Sequence, residues 1–200
     1  MNQILELWLP IVLSSVFIFI ASSIIWMVLP YHKEDIQKLP DEAGFLSALK
    51  TQNIPAGLYM WPNCLDSAEM KSDAFKQRFE AGPWGSINVI EKKPNFARNM
   101  LLTFVFYLIV SIFVAYITKE ARPFGASYLS VFQVAGATAI LAYCAGGIPG
   151  AIYMGTPPRF IVTSLLDAVI YGLITAGTFG WLWPAVNAAE GGGGGGLLTP

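Results

Sequence analysis

The chain has 200 residues, of which 54% are hydrophobic and only 12% charged, and its formal net charge is -1. Soluble domains are about a quarter charged, so this composition excludes an ordinary soluble domain and indicates an integral membrane protein. The small net charge also argues against nucleic acid as a partner.

The first predicted element is a membrane-spanning helix within residues 1–30, whose apolar run extends from Ile4 to Leu29. This run exceeds the ~7–15 residues of a signal-peptide core, and neither Lys nor Arg precedes it, so we expect the helix to be retained. Pro10 is expected to kink the helix.

Residues 31–97 hold most of the charged side chains and are predicted to form a small extramembrane α+β domain. A domain of this size has a marginal core, so we expect it to pack on the membrane helices or on a partner. Its predicted elements are a helix capped by Asp41, a strand at Gly57–Trp61, a second helix beginning at Ser67 or Ser72, and a strand at Ser86–Glu91.

Residues 98–188 contain three further apolar runs, predicted as membrane-spanning helices at about Asn99–Ile117, Ser127–Gly147 and Phe160–Trp183. The expected fold is therefore an all-α membrane protein with four transmembrane helices and a small α+β extramembrane domain between helices 1 and 2. Residues 189–200 form a Gly-rich tail with a composition typical of flexible linkers.

The positions of Lys and Arg in the short loops favour one orientation in the membrane. Lys119 and Arg122 lie in one short loop and Arg159 in the other, so the positive-inside rule places the termini in the cytoplasm and residues 31–97 in the periplasm. Basic residues that flank the long segment favour the reverse orientation. Loops near this length, however, cross the membrane largely regardless of their charge.

The last apolar run carries small residues at every fourth position: Ala168, Gly172, Ala176 and Gly180. This spacing places all four on one side of a helix, where a second backbone can approach closely. We predict that this face packs against another helix.

Asp167 is the single carboxylate well inside an apolar run, and such a residue suggests function because burying its charge is costly. The functional interpretation is a proton or cation step. The structural interpretation is a hydrogen bond to Thr163, Tyr171 or Gln133, or a pair with Arg159. We favour the structural interpretation because a relay usually needs several ionisable groups in series.

His32 is the single histidine and lies just after the first apolar run. Its spacing from Glu34, Asp35, Met60 and Cys64 matches no metal-ligand motif, so we expect no metal or cofactor. An interfacial histidine held by a neighbouring carboxylate is the favoured interpretation.

Three aromatic residues, Tyr59, Trp61 and Trp84, give the extramembrane segment a surface suited to its own core, to the membrane interface or to partner docking. The sequence contains no Ser-His-Asp or Cys-His arrangement, no phosphate-binding loop and no nucleotide fingerprint. We therefore expect a protein that is not an enzyme.

Three segments resemble a group of small, uncharacterised four-helix membrane proteins from bacteria: Leu39–Glu42, Pro55–Pro62 and Gly177–Pro184. The resemblance covers most of the chain outside the Gly-rich tail. It implies a location in the bacterial inner membrane and implies no activity.

These features together predict a non-catalytic accessory subunit that scaffolds a larger bacterial membrane complex, such as one for respiratory or photosynthetic electron transfer. Its expected partners are other integral membrane subunits and the lipid bilayer. The alternatives are a small transporter or channel that uses Asp167, and a membrane enzyme or assembly factor that acts on a partner.

Overall fold

The computed structural model describes residues 2–186, so the predicted Gly-rich tail lies outside the described residues. Four helical segments are long and apolar enough to span a membrane. The helices are α1 (Asn2–Leu5), α2 (Trp8–Met27), α3 (Glu42–Gln52), α4 (Ser67–Lys71), α5 (Asp73–Ala81), α6 (Phe96–Ala121), α7 (Tyr128–Cys144), α8 (Ile148–Tyr153) and α9 (Pro158–Trp181). A short 3-10 helix, Pro30–His32, follows α2, and two strands, β1 (Gly57–Trp61) and β2 (Gly85–Val89), complete the described elements.

The bounds of the long helices differ from those predicted where local capping changes them. The first span breaks at Glu6 and Leu7 into α1 and α2. Pro10 was expected to kink this span, but it lies in the first turn of α2, where no backbone N–H is required. Helix α6 starts three residues early because the side chain of Asn95 caps it by accepting a hydrogen bond from the backbone nitrogen of Arg98.

The segment between α2 and α6 has very little core of its own. Among residues 36–95, Phe75 is the one buried residue, and α3 has none. Strands β1 and β2 pair in antiparallel register from Gly57 opposite Val89 to Trp61 opposite Gly85. The predicted second helix divides into α4 and α5 because Ser72 adopts an extended conformation and caps the backbone nitrogen of Phe75.

Helices α7 and α9 form the most extensive contact in the bundle, and the small residues of α9 make it close. A Cβ added at Gly172 would overlap the side chain of Ile140 and lie 3.2 Å from its backbone nitrogen. Gly180 similarly lies against the ring of Tyr128, while Ala168 and Ala176 are buried. The small-residue face is thus filled by a helix of the same chain.

Buried polar contacts join α2 to α6 on the other side of the bundle. Ser14 and Ser15 donate hydrogen bonds of 3.0 and 3.1 Å to the hydroxyl of Ser111, and all three side chains are inaccessible to solvent. Small hydroxyl residues allow this close approach and satisfy one another in an apolar setting. Helix α9 also contacts α2, so both pairs meet in one bundle.

Gly172→Ala tests the close contact of α7 and α9. The added methyl group should destabilise the fold by about 1–3 kcal/mol because the backbone of Ile140 limits relaxation. The measurement is the apparent Tm of the detergent-solubilised protein. Gly177→Ala is the matched control, since its Cβ would meet only the hydroxyl of Tyr128 at 3.8 Å. Equal Tm values for the two variants would contradict the assigned packing.

Candidate functional site

A turn after α2 brings two polar side chains back onto the bundle. Pro30 begins the 3-10 helix with its fixed φ and no required N–H, as proline does in a first helical turn. The backbone nitrogen of the preceding residue, Leu29, donates a hydrogen bond to the carbonyl of Ile24 at the C-terminal end of α2. The following residues, Tyr31 and His32, then face α9 beside Asp167.

His32 bridges two carboxylates. Its Nε2 atom lies 3.1 Å from Oδ2 and 3.3 Å from Oδ1 of Asp167, and its Nδ1 atom lies 2.7 Å from Oδ2 of Asp35. The side chains of His32, Asp35 and Asp167 are 4%, 0% and 6% exposed. We call these three residues the carboxylate–histidine group. Tyr31 donates a hydrogen bond to Oδ1 of Asp167, and Trp26 stacks on the imidazole at 4.0 Å.

Asp35 connects this group to the surface. It accepts hydrogen bonds from the hydroxyl of Thr163 at 2.7 Å and from Nε of Arg159 at 3.2 Å. Arg159 is half exposed and also pairs with Glu34 at 3.2 Å. The hydrogen bond from Thr163, supported by His32 and Arg159, lowers the pKa of Asp35 against the opposing effect of desolvation.

The pKa of Tyr31 shifts in the opposite direction to that of Asp35. Burial first, and then the hydrogen bond to Asp167 and the negative charges of Asp167 and Asp35, raise the pKa of its hydroxyl. Tyr31 therefore stays protonated and acts as a hydrogen-bond donor at neutral pH.

The charges of the group do not cancel without an added positive charge. Asp35 and Asp167 supply two buried negative charges, and the half-exposed Arg159 supplies one positive charge, which it shares with the solvent-exposed Glu34. One additional proton, on His32 or on Asp167, makes the buried group neutral. An uncompensated charge is costly in an apolar environment, so a proton or another cation placed here would lower that cost.

Asp167 also lines an open cavity of about 430 Å³ between α2, α6, α7 and α9. Most of the remaining wall is aromatic and is supplied by Trp26, Phe106, Tyr107, Tyr143 and Tyr171. Among the described residues, the hydroxyls of Tyr143 and Tyr171 are buried without a hydrogen-bond partner. The cavity wall therefore combines one carboxylate with several aromatic rings, and two of its tyrosines carry buried hydroxyls without a partner among the described residues.

Buried hydroxyls continue from Asp167 along the interior of the bundle. On α9, Tyr171, Thr175 and Thr178 follow Asp167 on the same side of the helix and are all at least nine-tenths buried. The distance along the axis from Asp167 to Thr178 is about 16 Å at the rise of an α-helix. On α6, the corresponding buried residues are Tyr107, Ser111 and Thr118.

The partners predicted for Asp167 were wrong. Thr163 and Arg159 bind Asp35 instead, Gln133 is exposed on α7, and the Tyr171 hydroxyl is unpartnered within the described chain. Sequence reasoning missed Tyr31, since nothing along the chain links it to α9. The His-x-x-Asp spacing of His32 and Asp35 was a usable local signal because a single helical turn brings such a pair together.

The predicted docking aromatics lie apart from this group, on the extramembrane sheet. Trp61 and Trp84 line an open cavity of about 560 Å³ between the sheet and the loop after α8. Tyr59 is half buried and donates a hydrogen bond of 2.9 Å to the carbonyl of Pro55.

No protein-family model, curated protein or solved structure matches this chain. The resemblance to the bacterial four-helix group therefore stays a prediction. Within residues 2–186, no cluster of three or more His, Cys, Asp and Glu side chains has the arrangement of a metal site.

Asp35→Asn tests the electrostatic role of this carboxylate. The pKa of Asp35 is below its ordinary value of 3.8 in the folded state, so its contribution to stability is present above that pH and is lost as the pH falls below it. The apparent Tm of the wild type should fall more steeply in this acid range than that of the variant.

Asp73→Asn is the matched control because Asp73 is exposed and, among residues 2–186, forms an ion pair with Lys76 alone. Its pH profile should follow the wild type. Identical acid profiles for the wild type and Asp35→Asn would contradict the lowered pKa.

Proposed function

We propose that this chain is an integral membrane protein that moves protons across the bilayer, with Asp167 and His32 as its proton-binding groups. The observation that supports the proposal is the buried imidazole of His32 held between two carboxylates. One of these, Asp35, contacts the half-exposed Arg159, and the other, Asp167, lines the open cavity between the helices. A proton therefore has an entry on one side of His32 and an exit on the other.

The imidazole of His32 can pass on one proton with no net gain or loss of protons on the ring. A neutral ring that holds its proton on Nε2 accepts a proton at Nδ1 from the side of Asp35 and becomes an imidazolium. It then releases the Nε2 proton to Asp167, and a change of tautomer restores the starting ring. The two short contacts of His32 place a carboxylate at each ring nitrogen, where a proton arrives at Nδ1 and leaves from Nε2.

The hydroxyls beyond Asp167 offer a continuation through the bundle. Tyr171 and Tyr143 adjoin the cavity with free hydrogen-bonding capacity, and Ser111 and Thr118 extend the polar interior along α6. Polar side chains inside membrane helices commonly mark ion or proton pathways, although Ser and Thr also serve as packing residues.

Asp167→Asn tests the proposal in proteoliposomes. The amide keeps the size and the polar contacts of the carboxylate but cannot take up the proton. With a potassium diffusion potential as the driving force and a trapped pH dye as the readout, proton flux should fall to the level of protein-free vesicles.

Asp73→Asn provides the control for the same chemical change at an exposed site. It should retain the wild-type flux, and the apparent Tm of each variant should establish that it is folded. Wild-type flux from a folded Asp167→Asn protein would refute the assignment.

A second candidate is the non-catalytic accessory subunit of a larger bacterial inner-membrane complex, as expected from the sequence. The cavity lined by Trp61, Trp84 and the 82%-exposed Tyr153 supports it, because exposed aromatic clusters are typical of docking sites. The small-residue face of α9 provides no further support for this candidate, since α7 fills it.

The accessory role predicts a larger species in native gels of protein extracted with mild detergent from its natural membrane. Trp84→Ala should shift most of the chain to the free form by removing an exposed ring. Leu65→Ala, at a 99%-exposed position outside the cavity, should leave the larger species intact. Migration of the wild type solely as a free monomer at every detergent level would exclude this candidate.

A further inference from the structure

We infer that the cavity beside Asp167 binds a monovalent organic cation, which replaces the proton held by the carboxylate–histidine group. This inference rests on the proposed proton-binding function and adds the class of ligand to it.

The composition of the cavity wall points to a cation with an apolar body. Asp167 provides the negative charge, and none of the described residues that line the cavity is a Lys or Arg that would neutralise it. Aromatic rings attract cations through their negatively charged faces, most strongly where water is excluded. The rings that line this cavity are those of Trp26, Phe106, Tyr107, Tyr143 and Tyr171.

The charge count selects a monovalent ligand. Glu34 is exposed to solvent, so the count includes only the buried carboxylates and Arg159. These groups lack one positive charge, and either a proton or a singly charged cation supplies it. A divalent metal ion would exceed this charge, and it prefers several oxygen ligands where the cavity provides one carboxylate. A neutral ligand would leave the charge of Asp167 uncompensated.

Because either species supplies the missing positive charge, the cation and the proton compete for the site. When the cation enters, the group releases one proton to solution, and no other bond forms or breaks. The other charged and titratable side chains around His32 and Asp167 are Tyr31, Glu34 and Arg159 on the surface side, and Tyr107, Tyr143 and Tyr171 on the cavity side.

The size of the cavity suits a small organic molecule. Its volume of about 430 Å³ falls within the ~300–1,000 Å³ typical of ligand sites. A quaternary ammonium group with one aromatic arm matches both this size and the mixed lining.

Phenyltrimethylammonium is a suitable probe because its charge does not depend on pH. Added to the detergent-solubilised full chain in weakly buffered solution with a pH dye, it should release one proton for each cation bound. The neutral isostere tert-butylbenzene should release none, and Asp167→Asn should abolish both the binding of the cation and the proton release.

Phe106→Leu tests the aromatic wall without changing the charge. Loss of one cation–π contact should weaken binding roughly 3- to 30-fold. Phe113→Leu is the matched control, since Phe113 lies two turns further along the same side of α6 and lines none of the described cavities.

Absence of binding, binding without proton release, or binding that survives Asp167→Asn would each overturn the inference. Equal affinity of Phe106→Leu and Phe113→Leu would also overturn it. The proton-flux assay contains no organic cation, so a failure of cation binding is distinguishable from a failure of the proposed function.

Discussion

The buried carboxylate of Asp167 is the constraint on which the rest of the bundle depends. A charge removed from water costs several kcal/mol unless hydrogen bonds and opposite charge replace its hydration. The helices alone do not supply these partners, so the chain after α2 turns back and places Tyr31 and His32 against α9. The 3-10 helix that begins at Pro30 is therefore as necessary to the site as the membrane helices.

Close helix packing and the polar site depend on each other. Because Gly172 lets α7 approach α9, the rings of Tyr143 and Tyr171 meet edge to face at 5.7 Å and form one wall of the cavity. Asp167 is one turn away from Tyr171 on α9, so the contact that fixes the helix pair also fixes the carboxylate. A bundle with larger residues at this face would separate the two walls.

The sequence was sufficient to predict most helices and strands but not the contacts between residues far apart in the chain. Apolar runs predict the four long helices, and alternation over Ser86–Glu91 predicts the strand that the structure places at Gly85–Val89, because both signals are local. The contact of His32 with Asp167 joins residues 135 positions apart and depends on how a turn folds back over a helix end. Helical spacing instead suggested Arg159 and Thr163 as partners, since it cannot show that Asp35 competes for both.

A purely structural role and a proton-transfer role would require different contacts of His32 and Asp167. To hold the 3-10 helix on α9, one hydrogen-bonded pair between His32 and Asp167 would be enough. The chain instead buries a second carboxylate, Asp35, on the opposite nitrogen of the imidazole and ties it to the half-exposed Arg159. Asp35 also bonds to Thr163 and Arg159 on α9, and those two contacts do not need the imidazole. The second carboxylate gives both nitrogens of His32 a polar partner, as proton transfer through an imidazole requires.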